Sequence, residues 1–395
     1  MNSQMHILII PSWYPQFSGD IGGSFFREQA IALKRAGHSV GVIYPQIRSL
    51  KSIYKIFKKP YGLTIEADDG VDTLRWYSIN FFPKVKNYNK NHWVSLGLRL
   101  FQVYIEKYGI PDIIHVHSML YAGFVAEIIK EKYNIPYVIT EHSSTFARNL
   151  ISQEIMVSLQ PIVAHANICL AVSQNFCHYL NEQFNHSDWK YIPNIVNDNF
   201  FKPNINHLTT YSEKKRIISI CHLNKNKNTE LLIKAFHQLM RHSLIVDIEL
   251  IIGGDGEERR ALENLVQELD LVESVKFLGG LTRESVKDEI QKSSMFVISS
   301  HYETFGVVAI EALALGKPVL STKCGGPESI ITPKVGMLVK NNSVDELATG
   351  MLHLYEHLND YNPNELKAYC LENFSEQAVV SKLIQVYSEY CEKNE

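Results

Sequence analysis

The chain has 395 residues, more than one hydrophobic core usually organises, so two domains of roughly 150–200 residues are expected. Its 45% hydrophobic and 21% charged content matches an ordinary globular protein and excludes collagenous, disordered and disulfide-scaffold classes. Lys+Arg 39 against Asp+Glu 42 gives a net charge of −3, which removes any global electrostatic case for nucleic-acid binding.

The opening residues, through Ile10, lack a basic n-region and read as a first strand, not a signal peptide. Short β-branched runs then alternate with amphipathic stretches. Strands are predicted at 6–10, 39–44, 73–79, 113–116, 137–140, 168–172 and 189–192. Helices are predicted at 25–36 (Ser24 as cap, Gly37 after it), 92–108, 121–133 and 151–164. Residues 193–207, rich in Asn and Pro, read as a linker. The alternation restarts with strands at 216–221, 246–252, 274–278, 295–299, 318–321 and 336–339. Helices at 229–241, 257–269, 282–291, 307–315 and 343–358 separate them, and a last helix at 375–392 is predicted to pack back across the junction. The class is α/β: two Rossmann-like domains, 1–195 and 196–374, followed by a C-terminal helix in 375–395. Their parallel sheets are expected to face an interdomain cleft, where open α/β sheets bind ligands. No run of eighteen apolar residues occurs, so no membrane span is expected. Six cysteines without a Cys-x-x-Cys pair, mostly in apolar runs, imply packed reduced thiols and a cytoplasmic protein.

The most informative stretch begins where the strand at 295–299 ends. A short loop carries Glu303, a helix begins near Gly306, and Glu311 lies on that helix about 7 Å further along its axis. The amides of Thr304, Phe305, Gly306, Val307 and Val308 fall between the two acids, and a helix start favours an anion. Two glutamates beside an anion site would repel a phosphate unless each binds hydroxyls instead. A nucleotide sugar offers that order: sugar hydroxyls to Glu303, diphosphate to the amides, ribose hydroxyls to Glu311.

Glu303-Thr-Phe-Gly-Val-Val-Ala-Ile-Glu311, followed by Ala312, Ala314, Gly316 and Pro318-Val319, resembles the signature of the retaining family 4 glycosyltransferases, which have the GT-B fold. Gly253-Gly-Asp-Gly-Glu257 is similar to that family's glycine loop, and Gly325-Gly-Pro-Glu328 and Ile192-Pro-Asn194 also fit its pattern. The resemblance implies sugar transfer from a nucleotide sugar, a UDP-sugar by expectation, with the anomeric configuration kept. It places the donor in the C-terminal domain and most of the acceptor in the N-terminal one. It also implies an Arg and a Lys on the diphosphate. Lys227 matches the lysine, but His222 stands where arginine is usual and Asn228 where glycine is usual, which lowers diphosphate affinity unless Lys225 substitutes. No Asp-x-Asp occurs, so no metal or other cofactor is expected, and cationic side chains with the helix dipole must neutralise the leaving group. Main chain near residues 278–283 is the expected base pocket.

In the N-terminal half, Gly22-Gly23-Ser24 opens a helix and is read as a ligand loop that would face the donor. Its long approach is not Gly-x-Gly-x-x-Gly, which disfavours a nicotinamide cofactor. His142 follows a strand end in a Thr-x-His pattern similar to the family's and is read as holding the donor sugar or orienting an acceptor hydroxyl. His115 and His117 share a strand face without a carboxylate pattern, so they line the cleft or are structural, not metal ligands. Glu141 is the nearest candidate nucleophile for double displacement. The resemblance points instead to a same-face route in which the departing diphosphate takes the acceptor proton.

Residues 48–59 place Leu50, Ile53, Tyr54 and Phe57 at helical spacing, with Lys51, Lys55, Lys58 and Lys59 elsewhere and no acid. This reads as a basic amphipathic helix for an anionic membrane surface, or as a packed helix with a solvated lysine face. The first reading makes the protein peripheral at the inner face of the cell membrane and its saccharide acceptor lipid-linked; residues 81–93 again mix aromatics with lysines. The default pathway is cell-surface polysaccharide synthesis. A nucleotide-sugar epimerase on the same scaffold and a non-catalytic nucleotide-sugar binder stay open as alternatives.

Overall fold

The computed structural model describes residues 4–16, 22–49, 60–81, 86–184, 188–202, 215–242 and 247–391. They form two compact units, one of Met1–Ile192 with Val379–Glu395 and one of Pro193–Ala378. The division falls between Ile192 and Pro193, and the chain rejoins the first unit at Val379.

The first unit runs β1 (His6–Pro11), α1 (Ser24–Arg35), β2 (Ser39–Ser49), β3 (Gly62–Asp68), β4 (Val71–Asn80), α2 (Lys86–Tyr108), β5 (Ile113–His117), α3 (Ala122–Tyr133), β6 (Tyr137–Glu141), α4 (Gln153–His165), β7 (Ile168–Ala171), α5 (Gln174–Gln183) and β8 (Trp189–Tyr191). Its sheet has the order β3-β4-β2-β1-β5-β6-β7-β8, and every pairing is parallel except β3 with β4. Central strands are buried on both faces, which is why β1, β5 and β6 read as short runs rich in Ile and Val. β3 is different: Leu63 and Ile65 are exposed along an edge, so it lacks that signature and the sequence reading omitted it. α5 was omitted too, because only Phe176, Cys177 and Leu180 of its ten residues are buried.

Two expectations need correction here. Ser24 does not cap α1; Gly23 does, at φ +78°, and Ser24 is the first helical residue. The expected basic helix begins wrongly, since Arg48 and Ser49 complete β2, and Lys51, Lys55, Lys58 and Lys59 lie outside the described residues. In the second lysine-rich stretch, Trp93 lies on α2 and is buried.

The second unit runs β9 (Lys215–Ile220), α6 (Thr229–Met240), β10 (Ile248–Gly253), α7 (Arg259–Glu268), β11 (Val275–Gly279), α8 (Arg283–Gln291), β12 (Met295–Ile298), α9 (Val307–Ala314), β13 (Val319–Thr322), β14 (Gly336–Val339), α10 (Val344–Glu356) and α11 (Pro363–Phe374); α12 (Glu376–Cys391) then carries the chain back. Its sheet is wholly parallel in the order β11-β10-β9-β12-β13-β14. α6 shows how helices attach: Leu231, Leu232, Ala235, Phe236 and Leu239 bury one stripe with β9, β10 and α10 around the core. Thr282 caps α8 by accepting from Ser285 N at 3.1 Å, and Ser343 caps α10 by accepting from Glu346 N at 3.2 Å. Among the described residues no helix is long and apolar enough to cross a membrane.

Candidate functional site

The strand order of the second sheet reverses between β9 and β12, and the loops leaving their carboxyl ends bring Lys227 to Glu303. Such switch points are where open α/β sheets present ligand crevices. The loop after β9 turns through a 3-10 segment at Lys225–Lys227, with Asn224 Oδ1 accepting from Lys227 N at 3.1 Å. It is stitched to the loop after β12: Ser299 Oγ donates to Lys227 O at 3.0 Å, His301 N to Asn226 O at 2.8 Å, and Asn226 Nδ2 to Tyr302 O at 2.9 Å. The glycine loop after β10 closes on its other side. Leu223 N donates to Asp255 O at 2.9 Å, and a Cβ on Gly256 would lie 2.3 Å from Leu223 O.

This framework holds Lys227 Nζ 2.6 Å from Glu303 Oε1, the same oxygen that accepts from Ser300 Oγ at 2.6 Å. Burial pulls the Lys227 ammonium toward lower pKa, but the charge and hydrogen bond of Glu303 outweigh it and hold it above the ordinary lysine value. Glu303 itself is pinned through its backbone, with Glu303 N donating to Cys324 O and Gly326 N to Glu303 O, both at 2.7 Å. The Cys324 thiol beside it is pushed up to about 12, by burial first and then by the Glu303 charge. It is therefore protonated and no nucleophile.

Gly306 caps α9 at φ +95°, a conformation that suits glycine and starts the helix three residues past Glu303. The first amides of a helix have no intrahelical acceptor and carry the positive end of its dipole. Thr304 and Val307 flank this turn half-buried, while the Phe305 ring is buried, with its centroid 6.0 Å from that of Phe374. Of Phe305 only the backbone can serve a ligand. Glu311 is 1% exposed on α9. Its Oε1 accepts from Arg283 Nη1, and its Oε2 has no partner among the described residues. Arg283 in turn lies over the Phe200 ring, 5.0 Å from Cζ to centroid.

Each acid beside the helix start thus carries its own cation, Lys227 on Glu303 and Arg283 on Glu311. That resolves the repulsion that two bare carboxylates would exert on a phosphate. The first pair joins residues singled out from the sequence. The second was missed, since Arg283 is separated from Glu311 by β12 and two loops, and reading residues 278–283 as a main-chain base pocket leaves no role for its side chain. His222 is largely exposed, its Nε2 lying 3.5 Å from Glu257 Oε2, so it is not part of the Lys227–Glu303 cluster.

In the first unit, Gly22 is exposed and Gly23 packs so that an added Cβ would lie 3.0 Å from the Trp13 ring. His142 follows β6 and is buried, its Nε2 3.1 Å from His117 Nδ1, with the Phe26 ring edge-on at 4.7 Å. Burial drives His117 well below the ordinary histidine value and His115 down to about 3, so both rings are neutral. Both rings are fully buried, and His117 Nε2 makes no hydrogen bond among the described residues. Glu141 is fully buried and accepts from Met119 N at 2.9 Å, His142 N at 2.9 Å and Ser143 N at 2.7 Å. Its oxygens organise the backbone around the end of β6. Among the described residues no three His, Cys, Asp or Glu side chains gather as a metal site would need.

Two family models match successive parts of the chain. Residues 22–200 match the family model described as Glycosyltransferase Family 4, and residues 201–389 the one described as Glycosyl transferases group 1. An uncharacterized glycosyltransferase of Methanocaldococcus jannaschii is 31% identical over 179 residues, 44% of this chain and 45% of that protein. The chain spans about half the length of the curated relatives it matches. Among solved structures, sucrose-phosphate synthase from Thermosynechococcus elongatus superposes with a TM-score of 0.78 at 21% identity, covering 97% of this chain and 98% of that one. Anabaena HepE, in complex with UDP and glucose, gives 0.72 at 19% identity, covering 98% of this chain and 100% of that one. At such identities the likeness is one of fold, and the fold is GT-B.

Proposed function

Because the chain belongs to glycosyltransferase family 4, we propose that it moves a hexose or N-acetylhexosamine from a nucleotide sugar, with UDP as the nucleotide, to a saccharide acceptor. The observation that carries this reading is the arrangement at α9: amides at a helix start, flanked by two carboxylates that are each charge-compensated, one with a buried oxygen open to a hydroxyl. The diphosphate would take the amides of residues 304–308 and Lys227, the ribose would take Glu311, and the transferred sugar would take Glu303. Gly22, Gly23 and His142 belong to the sugar and acceptor side of the same reading.

Transfer is read as retaining and metal-independent. The bond from the anomeric carbon to the diphosphate oxygen breaks and a bond to the acceptor oxygen forms on the same face. The acceptor proton passes to the leaving diphosphate, so no protein base is consumed. Glu141, held by three amides, is consistent with that route. Lys227 and the α9 dipole then stabilise the charge that develops on the leaving group. The acceptor is read as lipid-linked, in cell-surface polysaccharide synthesis, on the strength of Lys51, Lys55, Lys58 and Lys59 in the sequence.

A thermal-shift screen of UDP-, GDP-, ADP- and dTDP-sugars tests the donor assignment, since a bound ligand stabilises by mass action. Stabilisation by UDP-sugars, with release of UDP only when a saccharide acceptor is added, is the expected result. UDP-sugar conversion without acceptor would indicate an epimerase, and binding with no turnover a non-catalytic receptor.

A further inference from the structure

Glu311 is almost fully enclosed, and burying a carboxylate is costly unless it is paired and hydrogen-bonded. Arg283 supplies that pairing on one side only. Its Nη1 occupies Oε1, and Oε2 makes no hydrogen bond among the described residues; the Cys370 thiol near Glu311 donates instead to Ile310 O. The guanidinium is steadied from its other face by Phe200, itself 3% exposed and held in the 3-10 turn Asp198–Phe201, where Asn197 Oδ1 accepts from Asn199 N at 2.9 Å. The chain of contacts therefore runs from a turn just inside the unit boundary, through a stacked cation, to one chosen oxygen of a carboxylate. A lone cation on a flexible stem would leave Glu311 free to rotate and present either oxygen.

We propose that Arg283 is a positioning residue for ribose recognition: by occupying one oxygen of Glu311, it dedicates the other to a ribose hydroxyl of the nucleotide. This rests on the reading of Glu311 as the ribose group. Arg283 acts through Glu311, so its signature is a change in hydroxyl selectivity, beyond any change in affinity.

The test measures the affinity of UDP, 2′-deoxy-UDP and 3′-deoxy-UDP by titration calorimetry on the full chain. A hydrogen bond to a charged group supports a preference of about tenfold or more for UDP over at least one deoxy form in the wild type. Glu311→Gln should bring that ratio to within about twofold. Arg283→Gln should reduce it to about threefold or less, and Arg283→Lys, which keeps the charge but not the fork, should restore part of it. Arg283 is partly exposed in the first turn of α8, and melting curves confirm that each variant is folded. If UDP does not bind, or if Glu311→Gln discriminates like the wild type, the reading of the site itself fails. If Glu311→Gln loses the ratio and Arg283→Gln keeps it, the site stands and the positioning role is wrong. A lysine that restores nothing would place the effect in packing on Phe200 and overturn the role of charge.

Discussion

Lys227 donates to Glu303 at 2.6 Å, and in the proposed complex it would turn to a phosphoryl oxygen, so the two acceptors compete for one ammonium. That competition fixes the sign of two substitutions. Glu303→Gln keeps the shape of the side chain and an oxygen for the Ser300 hydroxyl, but it releases Lys227 from its counter-charge. UDP should bind equally well or tighter, while turnover falls by about 10²–10³ because the carboxylate that would hold the transferred sugar has lost its charge. Lys227→Ala should do the reverse at the binding step. It removes a charge-assisted contact to the diphosphate and leaves Glu303 facing it, so UDP affinity should drop by about tenfold or more. Titration and steady-state kinetics on the same samples separate the two effects. Unchanged turnover in Glu303→Gln, or unchanged affinity in Lys227→Ala, would contradict these assignments.

At the scale of elements, the site depends on two close backbone approaches, one after β10 and one after β13. A Cβ on Gly326 would sit 2.3 Å from both N and Cα of Phe305, and these are backbone atoms that can yield only if the turn from Glu303 to Gly306 moves. Gly326→Ala should therefore cost about 1–3 kcal/mol of stability and lower transfer further by displacing Glu303. Gly280→Ala, where nothing lies within 4 Å of the added carbon, should leave melting unchanged. A Gly326→Ala variant that melts and turns over like the wild type would show that the loop has room. These glycines also mark how far the sequence was legible. Repeated apolar strands and amphipathic helices were readable because each is coded locally, by side chains that must be buried in a parallel sheet. Glu303, Gly306 and Glu311 were readable because they sit in one strand–loop–helix unit. Arg283 was not, since its partner lies across an intervening strand and no local pattern reports a contact that only tertiary folding creates. β3, α5 and α11 escaped for a related reason: few of their residues are buried, so their apolar signal is thin. Ser24 misled because its side chain suits an N-cap, whereas the left-handed backbone of Gly23 set the actual start.

At the scale of the whole molecule, the chain leaves the first unit after Ile192 and returns to it at Val379, so that unit is completed by residues from both ends of the sequence. Val379, Val380, Leu383, Ile384 and Tyr387 of α12 are buried in this return. A buried hydrogen bond joins the Tyr387 hydroxyl to His115 Nδ1 at 2.6 Å, while His115 Nε2 lies 2.8 Å from Thr140 Oγ1. His115 is neutral throughout the ordinary pH range because burial lowers it to about 3, so the tie is indifferent to pH between 5 and 8. Tyr387→Phe would leave Nδ1 buried without a partner, at a cost of about 1–3 kcal/mol. For a unit of this size that should lower its melting temperature by about 2–12 °C. The second unit contains none of these atoms, so the loss should fall on one transition alone. In calorimetry with and without UDP, the transition that ligand does not shift should drop in Tyr387→Phe, and the UDP-stabilised one should stay in place with affinity unchanged. A drop in the UDP-responsive transition, or a single merged transition in both proteins, would mean that α12 stabilises more than the unit it completes.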